Sequence, residues 1–199
     1  MEKQLIVSVG REFGSGGHVV AAGIAEHFGL PLLDSNILAE IAKEKNADAE
    51  YLKKYDESAR SLLLSRTVNG YSNSPEEVVA RLQFDYLRAR ADAGESFVVI
   101  GRCADYVLRD NPGLVRIFVL GDIDTKAKRT AEREGVTLEK ARWLMEHNDK
   151  RRRTYHNTHC DGKWGDSRSY DITINSSRLG IEGTTDLLIK YIEAQQALR

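Results

Sequence analysis

The sequence predicts an α/β fold in which a five-stranded parallel sheet carries helices on both faces. Five short segments are nearly continuous runs of Val, Ile and Leu, which is typical of strands buried on both faces. Helical patterns lie between these segments, and such alternation favours parallel strands joined by helical crossovers. The length of 199 residues fits a single domain over residues 1–199.

The predicted strands lie at residues 4–9, 30–34, 96–101, 114–120 and 170–175. The predicted helices lie at residues 17–28, 75–93, 124–134, 137–156 and 182–198. Residues 74–77, Ser-Pro-Glu-Glu, form a capping box with proline at the first helical position, which predicts the start of the second helix. Gly94 and Gly135 suit the ends of the second and third helices. The buried face of the last helix is predicted to contain Leu187, Leu188, Ile192 and Ala194.

Two segments do not fit the simple alternation of strands and helices. Residues 36–93 form a long, mostly helical insertion between the second and third strands, with a predicted loop at residues 66–73. Residues 151–168 form a basic, glycine-containing segment before the last strand, and the run DKRRRTYH at residues 149–156 contains four cations in succession. A run of like charges is usually a solvated helix face, so charge alone does not assign this segment to a site.

Composition favours a soluble protein of a reducing compartment, and we expect a cytoplasmic location. The chain has two cysteines, too few for a disulfide framework, and its start lacks the apolar stretch of a secretory signal. No run of about 18 apolar residues is present, which disfavours a membrane partner. The net charge of −1 and the lack of aromatic-rich basic stripes disfavour nucleic acid as a partner. A monomer and a homodimer both remain open.

A glycine-rich segment joins the first predicted strand to the first helix, with glycines at positions 10, 14, 16 and 17. Ligands of open parallel sheets bind beyond the carboxyl ends of the strands, where this segment lies. Its backbone N–H groups can converge on a phosphate, and the helix N-terminus favours negative charge. The standard pattern Gly-x-x-x-x-Gly-Lys-Ser/Thr fails, because Arg11 replaces the first glycine, Gly17 the lysine and His18 the hydroxyl residue. A phosphate loop without its lysine and a plain strand-to-helix turn are both compatible with this segment.

Residues 8–38, SVGREFGSGGHVVAAGIAEHFGLPLLDSNIL, resemble the start of the cytidylate kinase-like family, a branch of the P-loop nucleoside monophosphate kinases. That branch shows Arg-Glu-aromatic-Gly-Ser-Gly-Gly in place of the lysine loop. Further segments resemble the family in the same order, at residues 98–108, 116–135, 148–156 and 169–180. The resemblance implies a three-layer P-loop kinase fold with a helical acceptor-binding insertion at about residues 36–93 and a lid at about residues 142–168.

The resemblance also implies where two small-molecule nucleotide substrates bind. The donor, ATP with Mg²⁺, is expected at the glycine loop, on Gly14, Ser15, Gly16, Gly17 and His18. The acceptor is expected on Asp34, Ser35, Arg102 and Asp105. Arg102 ends an apolar strand, where a guanidinium can bind phosphate through two parallel hydrogen bonds. The alternative is an ordinary ion pair, for which Asp105 is one candidate partner. His18 either binds phosphate or is only a surface residue.

Four residues are expected to act on the transferred phosphoryl group: Arg11, Asp149, Arg152 and Arg153. Asp149 and Arg152 match the Asp-x-x-Arg pattern of the family's lid, and an arginine supplied at the transition state can accelerate transfer by roughly 10³–10⁵. Arg11 is the local substitute for the missing loop lysine. The alternative for Asp149 is a partner of Arg152 or Arg153 three or four residues away on a solvated helix.

Two positions depart from the family's pattern. The family has an arginine five residues after the serine of the LLDS segment, where this chain has Glu40. A further lid arginine lies four residues before the aspartate in the family, where this chain has Met145. Arg151 or Arg153 is expected to take over the role of that arginine.

We therefore expect an ATP-dependent nucleoside monophosphate kinase-like phosphotransferase, with CMP or dCMP converted to CDP or dCDP. The alternatives are a degenerate regulatory module that binds nucleotide without turnover, a kinase of another small phosphorylated acceptor, and an RNA-binding protein that uses the cations at positions 150–153. Trp143 and Trp164 are expected to pack in the core or lid. No metal site is predicted. The spacing of His147, His156, His159 and Cys160 matches no structural zinc pattern.

Overall fold

The computed structural model describes residues 3–34, 36–45, 48–56, 67–68, 71–72 and 74–199. Its strands, in chain order, are β1 (Ile6–Arg11), β2 (Leu32–Leu33), β3 (Thr67–Val68), β4 (Tyr71–Ser72), β5 (Phe97–Ile100), β6 (Leu114–Leu120) and β7 (Ile172–Asn175). Five of them form one parallel sheet in the order β2-β5-β1-β6-β7. The five-stranded parallel sheet predicted from the sequence is confirmed.

The described helices are α1 (Gly17–His27), α2 (Ile37–Lys45), α3 (Ala49–Lys54), α4 (Pro75–Asp92), α5 (Ala104–Val107), α6 (Ile123–Glu134), α7 (Leu138–His159) and α8 (Ser176–Leu198), with a short 3₁₀ helix at Ser167–Ser169. Ser74 caps α4 as predicted, because its hydroxyl accepts a hydrogen bond from the N–H of Glu77 at 3.3 Å. Gly135 ends α6 in the left-handed conformation, with φ 63°. Within the described residues, no helix is both long and apolar enough to span a bilayer.

The sheet lies between two layers of helices because side chains of its central strands alternate between two cores. One core lies against α1 and α8, and the other lies against α2, α3, α4 and α5. In β5, Val98 and Ile100 enter the first core, while Phe97 and Val99 enter the second. Strands covered on both faces in this way read as continuous apolar runs, which is the pattern that the sequence shows.

Strand β1 extends two residues beyond its predicted end and carries Gly10 and Arg11 into the sheet. Gly10 is paired with Phe118 of β6, and Arg11 is paired with Val119. A Cβ atom at position 10 would lie 2.7 Å from the Phe118 ring, so a residue without a side chain is required there. The pairing fixes Arg11 at the carboxyl edge of the sheet, next to the glycine-rich segment.

The loop predicted at residues 66–73 is wrong in part, because this segment contains β3 and β4. The two strands pair in antiparallel fashion, with Thr67 opposite Ser72 and Val68 opposite Tyr71. The sequence between them is Asn-Gly, a dipeptide that favours a two-residue hairpin turn. The signal for this pairing was therefore present in the sequence.

The last helix differs from its prediction in its start and in its buried face. Helix α8 begins at Ser176 and is interrupted at Gly180, which has φ 71° and ψ 179°. The predicted burial of Leu188 and Ile192 is confirmed, but Leu187 and Ala194 are exposed. One residue turns a helix by about 100°, so Leu187 and Leu188 do not face the sheet together.

The glycine-rich segment between β1 and α1 has two residues in the left-handed region, Gly14 and Gly16, each with φ 79°. A Cβ atom at Gly14 would lie 2.6 Å from Oγ1 of Thr130 and 2.9 Å from the carbonyl oxygen of Lys126, both in α6. The segment therefore packs directly against α6. Glycine is needed at position 14 both for its backbone conformation and for space.

We predict that Gly14→Ala costs more folding free energy than Gly94→Ala, although both glycines have φ 79°. A Cβ atom at Gly94 meets no described atom within 4 Å, so that variant carries only conformational strain, about 1–2 kcal/mol. Gly14→Ala adds the contact with Thr130 and the Lys126 carbonyl, and we expect a further loss of about 1–3 kcal/mol. Urea unfolding of both variants measures the difference. Equal losses would contradict the close packing of this segment on α6.

Candidate active site

The glycine loop, residues 12–17, connects β1 to α1 and is shaped by short-range hydrogen bonds. The Ser15 hydroxyl is buried, donates to the carbonyl oxygen of Glu12 at 2.8 Å and accepts from the N–H of Gly17 at 3.3 Å. Its hydroxyl thus stabilises the loop itself. Among the described residues, the first turn of α1 has no side-chain cap and no acidic residue. The start of α1 is therefore suited to an anion.

Two cations of α6 brace the loop. The Lys126 ammonium donates to the Glu12 carboxylate at 2.7 Å, and that carboxylate also accepts from the N–H of Gly121 at 3.2 Å. The Arg129 guanidinium donates to the carbonyl oxygen of Ser15 at 3.3 Å. Neither cation could be predicted from a local sequence pattern, because each lies 114 residues along the chain from its partner in the loop.

Helix α7, which forms much of the predicted lid, docks on the glycine loop through Asp149. Its carboxylate accepts a hydrogen bond from the N–H of Phe13 at 2.7 Å and lies 3.9 Å from the Arg152 guanidinium. The Asp149 side chain is 13% exposed, and burial raises the pKa of its carboxyl group above the usual range. The alternative for Asp149 is therefore confirmed in its pairing with Arg152, but it is wrong in placing that pair on a solvated helix face.

The Phe13 ring carries two guanidinium groups in cation–π contact. The guanidinium carbon of Arg133, near the end of α6, lies 4.9 Å from the ring centroid, and that of Arg152 lies 5.5 Å from it. Both arginines are thereby held beside the glycine loop. Arg133 is a candidate that sequence reasoning missed, because a cation in the last turn of a helix is ordinary.

Two pockets meet at this junction. The loop pocket has a cavity volume of about 200 Å³ and is lined by the glycine loop, Arg11, His18, Arg133 and Arg152. The arginine pocket has a cavity volume of about 20 Å³, lies at the carboxyl ends of β1 and β5, and is lined by Arg11, Arg102, Asp105, Arg152, His156 and Trp164. Arg11 and Arg152 therefore belong to both pockets.

Arg102 stands after β5 in an unusual backbone conformation. Its φ is 57°, and its neighbours Gly101 and Cys103 have φ 69° and 54°, so three successive residues occupy the left-handed region. The Arg102 side chain is 4% exposed, and burial lowers the pKa of its guanidinium to about 10. The guanidinium pairs with Asp56, while its Nε has no hydrogen-bond partner among the described residues. The alternative of an ordinary ion pair is therefore confirmed for Arg102, but its partner is Asp56 and not Asp105.

Asp105 pairs with α7 instead. Its carboxylate lies 2.9 Å from Nε2 of His156, and both side chains are buried. Burial opposes the charged imidazolium, but hydrogen bonds to Asp105 and Cys160 outweigh it and raise the pKa of His156 to about 10. A charged pair therefore ties α7 to α5, beside Arg102.

Other predicted site residues lie around this centre. His18 and Asp34 are 2.9 Å apart and join the start of α1 to the segment after β2. Ser35 lies outside the described residues. Arg153 lies over the Trp164 ring, 5.5 Å from its centroid, on the exposed side of α7. A catalytic role for Arg153 stays a prediction.

The structure also shows the contacts of Glu40, Trp164 and Trp143. Glu40 accepts a hydrogen bond from the Tyr86 hydroxyl and lies 3.5 Å from the Arg90 guanidinium. Trp164 packs edge-on against Phe118, with ring centroids 5.2 Å apart. Trp143 is not a core residue, because it is 51% exposed and stacks on a neighbouring histidine of α7.

We predict that Asp105→Asn destabilises the protein in a pH-dependent way. Breaking a buried charge pair costs about 3–5 kcal/mol. The pair raises the pKa of His156 above the ordinary histidine pKa of about 6.5. The loss of folding free energy in the variant should therefore be largest below about pH 6.5 and should become smaller as the pH rises towards about 10. Urea unfolding of wild type and variant across this range measures the loss. A loss that does not change with pH would contradict a charged His156.

The comparisons with known proteins agree with this geometry. The model of the cytidylate kinase-like family matches residues 6–178. A cytidylate kinase of Pyrococcus horikoshii is 28% identical over 183 residues, which cover 90% of this chain and 84% of the relative. A crystal structure of an uncharacterized protein from Eubacterium ventriosum is 41% identical, with a TM-score of 0.76, and the match covers 96% of this chain and 99% of that one.

The fold itself is shared more widely. A shikimate kinase from Acinetobacter baumannii superposes with a TM-score of 0.53 at 14% identity, over 97% of this chain and 95% of its own. The predicted P-loop kinase fold is thereby confirmed. The family match spans the glycine loop, the Arg102 segment and the helix that carries Asp149 and Arg152. On these grounds, the chain belongs to the cytidylate kinase-like family.

Proposed function

We propose that the protein is an ATP-dependent nucleoside monophosphate kinase, with CMP or dCMP as the first acceptors to test. The observation that carries the proposal is that Arg11 and Arg152 line both the loop pocket and the arginine pocket. A phosphoryl group that passes from a donor in one pocket to an acceptor in the other meets these two guanidinium groups on the way. The relative named cytidylate kinase supports cytidine as the first base.

The ATP phosphates bind in the loop pocket in this proposal. The backbone of the glycine loop and of His18 supplies N–H groups there, and the start of α1 adds its dipole. Arg133 and Arg152 add cations from α6 and α7. The loop therefore provides the backbone part of a phosphate site, while other elements provide the positive charge.

Magnesium enters the proposal together with ATP and neutralises charge on the donor phosphates when bound. Among the described residues, no three of His, Cys, Asp and Glu are placed to form a metal site. That fits an ion held mainly by phosphates and water, as magnesium commonly is in nucleotide-dependent enzymes. The partly exposed carboxylates of Glu12 and Asp34, beside the loop and His18, are the groups of this chain that we assign to it.

The acceptor phosphate binds in the arginine pocket, with Arg102 as its main ligand. Nη1 of the buried Arg102 guanidinium donates to Asp56. Its Nε has no hydrogen-bond partner among the described residues. A guanidinium with free N–H groups in a buried site is suited to a phosphate oxygen. Asp105 is engaged by His156, so we assign it to holding α7 rather than to contacting the acceptor.

In the proposed step, an oxygen of the acceptor phosphate attacks the γ-phosphorus of ATP. The new P–O bond forms as the bond to the β-phosphate oxygen breaks, and ADP leaves. The residues of the chain position the two phosphates and neutralise the developing charge. Arg152 lies beside Asp149, so its guanidinium is placed before the reaction. The backbone of Arg11 is held by its pairing with β6, and its side chain lines both pockets.

A kinase of another small phosphorylated acceptor is the second candidate, and Glu40 favours it. The carboxylate at this position bonds Tyr86 and Arg90, where the family has an arginine. Different groups in the insertion imply different contacts to the base or sugar of the acceptor. A panel of nucleoside monophosphates and sugar phosphates, followed by ADP release and by thermal shift, separates the candidates. Thermal shifts without ADP release for every acceptor would overturn the kinase proposal in favour of a nucleotide-binding module.

We predict that Arg152→Ala lowers single-turnover phosphoryl transfer by at least about 10²-fold, because its guanidinium acts on the transferred group. ATP affinity should fall less than about tenfold, since the backbone of the glycine loop still binds the phosphates. Lys150→Ala is the matched control, because it removes one positive charge from an exposed position of the same helix. Similar losses of transfer in both variants, or a loss confined to ATP binding, would contradict the role of Arg152.

We predict that Arg102→Lys raises the KM for the acceptor by at least about tenfold and changes the KM for ATP by less than about twofold. Lysine keeps the positive charge beside Asp56 but lacks the planar fork that binds phosphate through two bonds. Steady-state kinetics with each substrate varied in turn measures both constants, and thermal denaturation checks the fold. Equal effects on the two substrates would count against Arg102 as the acceptor ligand.

A further inference from the structure

We propose that Cys103 and Cys160 are a modification site, at which they form a reversible disulfide on exposure to hydrogen peroxide. The disulfide joins the end of α7 covalently to the Arg102 segment. Cys103 is the N-cap residue of α5 and follows Arg102 directly, and Cys160 is the C-cap residue of α7. Both cysteines are thiols that take part in no disulfide among the described residues, and both are buried. The proposed phosphoryl transfer uses neither of them.

The two thiols lie together at the wall of the arginine pocket. The Cys160 thiol forms side-chain hydrogen bonds with Cys103 and with His156. Cys103 and His156, the two hydrogen-bond partners of Cys160, both line the pocket, which has room for about one water-sized molecule. A small oxidant in the pocket therefore lies next to both partners of Cys160, although Cys103 and Cys160 are only 3% and 8% exposed.

The groups around Cys160 favour its thiolate. The hydrogen bond from Cys103, together with the charged His156, lowers the pKa of the Cys160 thiol to about 7 in spite of burial. His156 is held in its charged form by Asp105, 2.9 Å away. Because the thiolate is the species that attacks a peroxide, Cys160 is the reacting residue and Cys103 the resolving one.

The chemistry needs one molecule of peroxide for each disulfide. The Cys160 thiolate attacks one peroxide oxygen, the O–O bond breaks, and Cys160 becomes a sulfenic acid while hydroxide leaves. The Cys103 sulfur then attacks the Cys160 sulfur, so that the S–S bond forms and the S–O bond breaks. The second hydroxide takes up the Cys103 proton. Two thiols are oxidised to a disulfide and hydrogen peroxide is reduced to two molecules of water.

The disulfide has a direct consequence for the two elements that it joins. Cys103 belongs to the left-handed run that holds Arg102, and Cys160 ends the helix that carries Arg152. A covalent bond between them holds the end of α7 against the acceptor side of the site. The arginine pocket has room for about one water-sized molecule, so it has to widen to admit an acceptor, and α7 forms one of its walls. The oxidised protein should therefore bind and turn over the acceptor poorly. This consequence rests on the proposed function, whereas disulfide formation does not.

Peptide mapping of the full-length protein tests the disulfide. Reduced protein is treated with hydrogen peroxide, alkylated and digested without reductant. We expect a peptide pair joined through Cys103 and Cys160, in a monomeric chain lighter by two hydrogen atoms, and dithiothreitol should restore both thiols. Thiols that stay free at a dose that oxidises the urea-unfolded chain, or linkage only between chains, would overturn the proposal.

Two single variants assign the order of events. In Cys103→Ser, Cys160 should stop at a sulfenic acid that dimedone labels; in Cys160→Ser, Cys103 should react at least about tenfold more slowly with peroxide. The reverse order would overturn the assignment of Cys160 as the reacting residue. Circular dichroism checks that each variant folds, and the peptide map of wild type decides the disulfide without them.

The effect on the site is measured separately on wild-type protein. CMP binding and turnover should fall by at least about tenfold on oxidation and recover on reduction. If the peptide map shows the disulfide but CMP binding and turnover do not change, the claim that the disulfide holds α7 against the acceptor site is overturned. A protein that shows no turnover in the reduced state tests the proposed function instead, and the peptide map still decides the disulfide.

Discussion

The hydrogen bond from the Phe13 N–H to the Asp149 carboxylate is the constraint on which the candidate site depends. It is 2.7 Å long and joins residues 136 positions apart in the chain. Because Asp149 also lies beside Arg152, one carboxylate fixes both the glycine loop and the guanidinium that faces the two pockets. Arg152 belongs to both pockets as long as α7 is docked on the loop. The position of this helix therefore decides whether the two pockets share Arg152.

The glycine loop lacks the lysine of a standard phosphate loop, and the structure shows where positive charge lies instead. Lys126 and Arg129 bond to the loop from α6 and fix its shape. Arg11, Arg133 and Arg152 line the loop pocket. The cations that shape the loop come from α6, and those that line the loop pocket come from β1, α6 and α7. Because α7 forms much of the predicted lid, the contribution of Arg152 to the charge of the loop pocket depends on where this helix lies.

The sequence predicted the sheet and the glycine loop well, because buried strands and glycine-rich turns are local features; β6 occupies the predicted residues 114–120. The partners of the site side chains could not be predicted in the same way. Arg102 pairs with Asp56, 46 residues away, and nothing local distinguishes that aspartate from Asp105, three residues from Arg102. The end of β1 was placed too early because its last two residues, glycine and arginine, have no strand-like side chains and are held by pairing with β6.

A crystal structure with ADP, CMP and a fluoride mimic of the transferred phosphoryl group tests the central claim most directly. That claim is that transfer takes place where the two pockets meet, at Arg11 and Arg152. We expect ADP on the glycine loop, the CMP phosphate on Arg102, and the mimic within hydrogen-bond distance of both shared guanidinium groups. A mimic bound away from Arg11 and Arg152, or both nucleotides in a single pocket, would contradict the claim.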